Sequence, residues 1–381
     1  MNEYKNHQIL RERLISLINE YTPNRILKSM NWKLVIEDLR KEPYIDEYRE
    51  ELYLDSVLEG FHDPHMQLIK NKKIQKFYPL MFETIDNDIH VYELNNKDKE
   101  YLGVLKSIEE VANNCIYFSS ETEKLKRDGR SYYFTTKYIH KILQLNDQIL
   151  IETTQNSKMN RKIIKSLSIP SNDDVINNSE VNSVSKVYYY ANYFNPISFF
   201  AMGSADLFIK EIRKFDSDKP LILDLRYCSG GIVKEANRFI SYFCEDNFQY
   251  GEKIIKENGK DIIKIMKTDK VQPKLNFSTI YILTNKYTMS CAEFIVVQAL
   301  KCSDLNVIHI GKPTFGAFTE AKVIKLNKQY TCHIICSYIN NSGSIIPQYE
   351  CNDATVLKDY STEKDPMIQM IKKIEVKEYV Q

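Results

Sequence analysis

Two short apolar runs, each followed by an amphipathic helix pattern, constrain the fold of this chain more than any other feature. The runs Pro220–Arg226 and Thr279–Thr284 precede helical patterns over Val233–Phe243 and Ser290–Leu300, and a third run, Val307–Ile310, follows. Apolar runs of this length are typical of strands buried on both faces. Strands and helices in alternation indicate helices packed on a mostly parallel sheet. The final third of the chain is therefore predicted to be an α/β core.

The rest of the chain divides into segments that differ in their pattern of apolar and polar residues. Apolar residues recur at helical spacing up to a loop around Pro64. The next segment has short apolar stretches between polar turns, with two helices predicted near 108–113 and 136–145. In chain order the predicted segments are an N-terminal helical segment with an Asp-Pro-His loop (1–75), a small α+β module (76–170), a linker or long loop (171–185), the α/β core (186–360) and a C-terminal helix (361–381).

Composition argues against several classes of function. The 52 basic and 51 acidic residues nearly cancel, so no overall field favours nucleic acid or an anionic membrane. The polar N-terminus and the lack of a long apolar stretch predict a cytoplasmic protein without a membrane span. The 8 cysteines form no CxxC pair, which favours free buried thiols over a zinc site or a disulfide framework. No phosphate-binding loop is present, and no metal or other cofactor is expected.

Two places in the predicted core could carry chemistry. Ser290 stands where a buried strand gives way to a helix, and the helix dipole stabilises negative charge there. A serine in this position is also the usual N-cap of a helix. Gly230 and Gly231 follow the other strand and could point backbone amides into a cleft, although a plain turn has the same sequence. These residues alone do not decide between the alternatives.

Four short motifs occur in one order, namely Leu223–Arg226, Gly230-Gly231, Thr288–Glu293 and Gly311–Gly316, and the Asp-x-His sequence Asp63–His65 precedes them. This set resembles the tail-specific, or carboxy-terminal-processing, serine peptidases, a family that includes the tricorn core and the retinoid-binding-protein repeats. The resemblance implies an α/β core of crotonase- or Clp-protease-like ββα units. It also implies that residues 76–165 form a PDZ-like module, which would capture peptide ends by strand addition.

The resemblance assigns Ser290 as the nucleophile of an acyl-enzyme mechanism. It implies an oxyanion hole made by the amide of Gly230 or Gly231 together with that of Cys291. Supporting roles around the nucleophile fall to three residues of the same motifs, Glu293, Thr314 and Gly316. Glu293 would hold the active-site backbone or cap the helix.

The general base follows from a departure from the family pattern. One branch uses a lysine directly after the last glycine of the Gly-x-x-Thr-x-Gly motif, and Ala317 occupies that position here. The tricorn-like branch uses the histidine of the Asp-x-His motif, which is His65. Imidazole can act as a base near neutral pH. For the acid that orients His65, Glu350 is the first candidate and Asp63 the alternative.

The sequence therefore predicts a serine peptidase of the Ser–His type that cleaves peptides or unstructured polypeptide ends. The alternative is an inactive member of the same family that binds a peptide or another ligand. An acyl-coenzyme A fold of related layout is disfavoured by the Thr-x-Ser-x-Ala-Glu sequence. The expected partner is a peptide or protein substrate, not nucleic acid or a membrane, and a homo-oligomer is left open.

Overall fold

A computed structural model describes residues 2–43, 47–70, 74–85, 88–95, 98–110, 115–119, 148–165, 167–170, 183–340, 343–353 and 360–378. The chain forms two compact units. The first unit comprises residues 1–71, 176–354 and 361–381, and the second comprises residues 72–175 and 355–360.

The helices of the described residues all lie in the first unit. They are α1 (Asn2–Tyr21), α2 (Asn24–Ser29), α3 (Trp32–Lys41), α4 (Glu47–Glu59), α5 (Ser204–Ile212), α6 (Val233–Ser241), α7 (Cys291–Lys301) and α8 (Pro366–Glu378). The strands of this unit are β1 (Gln67–Lys70), β10 (Ser183–Val187), β11 (Asn192–Pro196), β12 (Leu221–Asp224), β13 (Gln249–Glu257), β14 (Lys260–Lys267), β15 (Ile280–Thr284), β16 (Val307–Gly311), β17 (Thr319–Lys325), β18 (Tyr330–Ile339) and β19 (Tyr349–Glu350).

The central sheet of the first unit has the order β10-β11-β12-β15-β16-β19 and is parallel from β11 onward. Alternate residues of its middle strands enter two separate cores. Leu223 and Ile282 pack with α5, α6 and α7, whereas Ile222 and Tyr281 pack with α8. Burial on both faces explains why these strands are continuous apolar runs in the sequence.

The second sheet of this unit brings the N-terminal region onto the core. Its order is β1-β18-β13-β14, with β17 also paired to β18. Strand β1 pairs antiparallel with β18, and Gln67 lies opposite His333. The N-terminal helices cover this sheet, since Leu14 and Ile18 share a core cluster with Ile334. The loop that precedes β1 is thereby fixed against the core.

The second unit consists of strands in its described residues. They are β2 (Ile74–Phe77), β3 (Leu80–Ile85), β4 (Asp88–Asn95), β5 (Asp98–Glu110), β6 (Cys115–Ser119), β7 (Gln148–Gln155), β8 (Lys158–Lys165) and β9 (Leu167–Pro170). Strands β2 and β9 form one pair, and β3-β4-β5-β7-β8 form an antiparallel sheet with β6 paired to β5.

Two predictions about element boundaries need correction. The helix predicted at 108–113 is wrong over its first three residues, because Ile108 lies in β5 opposite Ile151 and is buried in the core of the sheet. The predicted linker 171–185 ends too late, because β10 begins at Ser183. The helix predicted at 136–145 lies outside the described residues.

Candidate active site

Ser290 lies at the junction between the loop after β15 and helix α7. It is the N-cap residue of the helix, with φ 57° and ψ −128°, a conformation that non-glycine residues rarely adopt. Such backbone strain costs about 1–3 kcal/mol and persists only where the surrounding structure enforces it. The side chain is 7% exposed. This backbone conformation places the hydroxyl at the N-terminal, positive end of the helix dipole.

Gly230 lies in close contact with Ser290, and Gly231 lies in close contact with the backbone of Phe199. A Cβ on Gly230, whose φ is +95°, would lie 2.8 Å from Ser290 Cβ. A Cβ on Gly231, at φ +139°, would lie 2.4 Å from the backbone carbon of Phe199. The Phe199 amide donates to the Gly230 carbonyl at 2.8 Å. Glycine is therefore required at both positions for close approach as well as for conformation.

A buried ion network fixes the end of β12 just before these glycines. The Arg226 guanidinium is 1% exposed, and its Nη2 donates to the carboxylates of Asp224 and Asp365, each at 2.6 Å. Asp365 immediately precedes α8 and accepts the Met367 amide at 3.0 Å. The same network thus holds the C-terminal helix to the strand that leads into the glycine pair.

His65 reaches Ser290 from a turn two residues before β1. Its Nε2 lies 2.8 Å from Ser290 Oγ. On its other side, Nδ1 lies 2.8 Å from Asp63 Oδ1, which also accepts the His65 backbone amide at 2.8 Å. This second bond is the local turn that an aspartate makes with the residue two positions later. The Asp-Pro-His sequence therefore orients its own histidine.

The two members of this pair shift each other's pKa. Burial alone would lower the pKa of His65, but the negative charge and hydrogen bond of Asp63, with smaller effects of Glu293 and Glu320, raise it above the usual value. Burial alone would raise the pKa of Asp63, but the His65 charge and hydrogen bonds from His65 and Thr319 lower it. The pair therefore favours a charged aspartate and an imidazole that is more basic than usual.

Thr319, the first residue of β17, also contacts this pair and was not predicted as a site residue. Its Oγ1 donates to Asp63 Oδ2 at 2.8 Å and lies 2.8 Å from His65 Nδ1. Thr319 lies 254 residues from His65 in the sequence, so no local sequence pattern could predict that the two residues are in contact. Only the pairing of both segments with β18 brings them together.

Glu293 ties the nucleophile to the loop before β17. Its fully buried carboxylate accepts the Ser290 amide at 3.0 Å, the Gly316 amide at 2.6 Å and the Ala317 amide at 2.8 Å. The Thr314 hydroxyl donates to it at 2.6 Å. Burial raises the pKa of Glu293 to about 7, against the lowering effect of these four hydrogen bonds. The two motifs are therefore joined through one side chain.

The three predicted oxyanion-hole donors differ in what their amides do. The Gly230 backbone lies beside the Cys228 thiol, where it acts against the rise that burial causes in the pKa of that thiol. Within the described part of the chain, the amides of Gly231 and Cys291 donate no hydrogen bond. Cys291 opens α7 directly after Ser290. These two amides are free to bind a ligand oxygen.

Glu350 lies away from the histidine in this structure. Its side chain is 70% exposed and accepts a bond from Lys312 Nζ at 2.6 Å. Asp63, the alternative acid, is the carboxylate that contacts His65. Among the described residues, no group of His, Cys, Asp and Glu side chains is arranged to hold a metal ion, and no helix is both long and apolar enough to cross a membrane.

A comparison with protein families finds a match over the part of the chain that carries Ser290. The model of peptidase family S41 matches residues 196–350. This match covers β12, α6, β15 and α7, together with the glycine pair, Ser290 and Glu293. A search of curated proteins found no match. The family match over residues 196–350 and the mixed α/β fold support a relationship to the S41 family of tail-specific, or C-terminal processing, serine peptidases.

Two solved structures share the fold over nearly the whole chain. Mature CPAF is 12% identical, with a TM-score of 0.64 and coverage of 96% of each chain. The photosystem II D1 C-terminal processing protease is 13% identical, with a TM-score of 0.51 and coverage of 91% of this chain and 93% of its own. At such low identity, these two likenesses establish the fold alone.

Proposed function

We propose that this protein is a serine peptidase in which Ser290 is the nucleophile and His65 the general base. The observation that carries the proposal is the 2.8 Å contact between His65 Nε2 and Ser290 Oγ. A nucleophile within hydrogen-bond reach of a base, with the base oriented by a third group, is the shared arrangement of serine hydrolases. Asp63 is that third group in this proposal, in place of Glu350.

In the proposed reaction, Ser290 Oγ attacks the carbonyl carbon of a peptide bond while His65 Nε2 takes the hydroxyl proton. The oxygen of the tetrahedral intermediate accepts hydrogen bonds from the amides of Gly231 and Cys291. The C–N bond then breaks, and His65 gives its proton to the leaving amine. Water attacks the acyl-enzyme with the same base, which restores Ser290. Asp63 stabilises the imidazolium form of His65 in both steps.

Several observations favour a Ser–His pair over a Ser–Lys pair. Ala317 stands where a Ser–Lys member has its lysine, and its side chain is buried. Lys312, the lysine nearest that position in the preceding motif, is paired with Glu350. The raised pKa of His65 and its contact with Ser290 supply the basic group that the alanine lacks.

The test is covalent labelling by a fluorophosphonate probe, read by intact mass. Wild type is expected to gain one probe per chain, and Ser290→Ala none. His65→Ala should label at least about 100-fold more slowly, since a positioned base contributes 10²–10⁴-fold. Lys312→Met is the matched control and should label at the wild-type rate. Fast labelling of His65→Ala together with loss in Lys312→Met would support a Ser–Lys mechanism instead.

The alternative function, a binding protein that has lost activity, predicts a different result. In that case folded wild type stays unlabelled, and it cleaves no member of a peptide panel. The intact contact between His65 and Ser290 and the free amides beside it argue for an active enzyme.

We also propose that the second unit holds the substrate in the manner of a PDZ-like module. Its support is the antiparallel sheet, in which β8 is an edge strand among the described residues and has Ile163 exposed. An open edge can accept an added strand. Binding of a fluorescent peptide to Ser290→Ala should weaken when Ile163 is replaced by proline, which disrupts pairing at the edge. Unchanged affinity would remove the assignment.

A further inference from the structure

We infer that Thr319 is a positioning residue that fixes His65 in the tautomer with a proton on Nδ1. This inference rests on the proposed function, because a base that takes the proton of Ser290 needs an unprotonated Nε2. The single Thr319 hydroxyl contacts both the acid and the imidazole of the proposed triad, each at 2.8 Å. Its hydrogen-bond partners are Asp63 and His65 rather than Ser290, so it is inferred to act through His65.

The two oxygens of the Asp63 carboxylate have different hydrogen-bond partners. Oδ1 lies 2.8 Å from His65 Nδ1 and accepts the His65 amide. Oδ2 accepts the Thr319 hydroxyl. A carboxylate held at both oxygens cannot rotate, so its contact with the ring keeps one geometry.

The number of available protons then sets the tautomer. An ionised carboxylate only accepts hydrogen bonds, so the one hydroxyl proton of Thr319 goes to Asp63 Oδ2. Nδ1 of His65 consequently faces two oxygen acceptors, Asp63 Oδ1 and Thr319 Oγ1. A proton on Nδ1 satisfies this arrangement, whereas a lone pair there would face two oxygens at 2.8 Å. The neutral ring is therefore held with Nε2 unprotonated and directed at the Ser290 hydroxyl.

The position of Thr319 is itself well determined. It is 9% exposed and lies opposite Tyr338 in the β17–β18 pair. Two residues earlier, the Ala317 amide is held by Glu293. A β-branched side chain on a strand has few rotamers, which limits the directions that its hydroxyl can take. The hydroxyl is thus placed before any substrate binds.

The experiment compares Thr319→Val, which keeps the shape and removes the hydroxyl, with Thr319→Ser, which keeps the hydroxyl. Nitrogen-15 NMR of histidine-labelled protein, at a pH where the ring is neutral, reports which nitrogen carries the proton, and His65→Gln assigns the signal. Wild type and Thr319→Ser should show His65 protonated on Nδ1. Thr319→Val should show a mixture of tautomers, with kcat about 10–100-fold lower at nearly constant KM, as expected for a poorly oriented base.

Thr268→Val is the matched control, because Thr268 is a buried threonine whose hydroxyl donates to the Glu245 carbonyl at 2.7 Å. It should lose stability without a change in the His65 signal or in kcat. The inference is overturned if wild-type His65 carries its proton on Nε2, a result that needs no variant to fold. It is equally overturned if folded Thr319→Val keeps both the wild-type tautomer and the wild-type kcat. The NMR result stands apart from activity, so failure of fluorophosphonate labelling would count against the proposed function alone.

Discussion

At the scale of single residues, the proposed chemistry depends on the protonation state of His65 and on the negative charge of Asp63 beside it. Activity in the proposed mechanism requires the neutral ring, and the pKa of this ring is raised above 6.5 mainly by Asp63 acting against burial. As pH falls through that raised pKa, His65 gains a proton and can no longer accept one from Ser290. The rate therefore decreases on the acidic side of a midpoint that lies above 6.5.

The first prediction is that Asp63→Asn moves this midpoint to lower pH. The amide removes the charge that raises the pKa of His65, and it also loosens the orientation of the ring. We expect kcat/KM to fall by about 10²–10⁴-fold, the range that base catalysis and triad variants span. The measurement is kcat/KM against pH for wild type and variant. An acid limb with the same midpoint in both would contradict the role of Asp63.

The second prediction concerns Gly230, whose added Cβ would lie 2.8 Å from Ser290 Cβ. Gly230→Ala should lower the free energy of unfolding by about 1–3 kcal/mol, the cost of a strained backbone, and slow fluorophosphonate labelling at least tenfold because Ser290 must move. Gly259→Ala is the control, since Gly259 has φ +75° but nothing within 4 Å of the added atom. Both variants should lose stability in chemical denaturation, and only Gly230→Ala should lose labelling.

The sequence predicted the two residues that the structure places in contact, but only part of their surroundings. Ser290 and His65 stand in short local motifs, so their residues could be read directly. Thr319 has no such motif, and its part in the site depends on strand pairing between segments far apart in the chain. The choice between Asp63 and Glu350 also required the three-dimensional structure. The positions of these residues in the sequence do not reveal that Glu350 forms an ion pair with Lys312.

Among the elements, α7 and the loop before β17 act as one part of the site. Glu293 on α7 accepts four hydrogen bonds, three from Ser290, Gly316 and Ala317 and one from the Thr314 hydroxyl. All four partners are donors in these contacts. A carboxylate suits this environment because it accepts at both oxygens.

The third prediction is that Glu293→Gln damages both stability and activity. Its NH2 group would face donors where the carboxylate now accepts, so we expect a loss of about 1–3 kcal/mol in unfolding free energy, the cost of an unsatisfied buried group. Labelling should slow at least tenfold. Glu235→Gln is the control, because buried Glu235 accepts a bond from the Ala205 amide that a glutamine carbonyl can still accept. Equal effects of the two substitutions on labelling would argue against a link to Ser290.

Five elements of the core were predictable because each is a local pattern. Predicted strands and helices from Pro220 to Ile310 agree with β12, α6, β15, α7 and β16 to within two residues. The misassigned segment at Ile108 lacked such a pattern, and its pairing with Ile151 outweighed the local preference. Packing between distant segments, rather than propensity, determined the structure there.

For the first unit as a whole, the Arg226 network joins the C-terminal helix to the sheet. Removing one partner of a buried pair leaves an uncompensated charge, at a cost of about 3–5 kcal/mol. The fourth prediction is that Asp365→Ala lowers the free energy of unfolding by this amount in chemical denaturation. Glu257→Ala breaks an exposed pair with Lys264 and should cost less than about 1 kcal/mol. Similar costs for both would mean that the network does not hold the helix.

The pairing of β1 with β18 also sets an order of events during synthesis. The strand that carries His65 into place has its partners at residues 330–333, near the far end of the chain. A nascent polypeptide that has reached only the end of α7 already contains the serine helix, yet it has nothing to hold the histidine beside it. The contact between His65 and Ser290 is thus expected to form only after residues 330–333 have been synthesised and have left the ribosome.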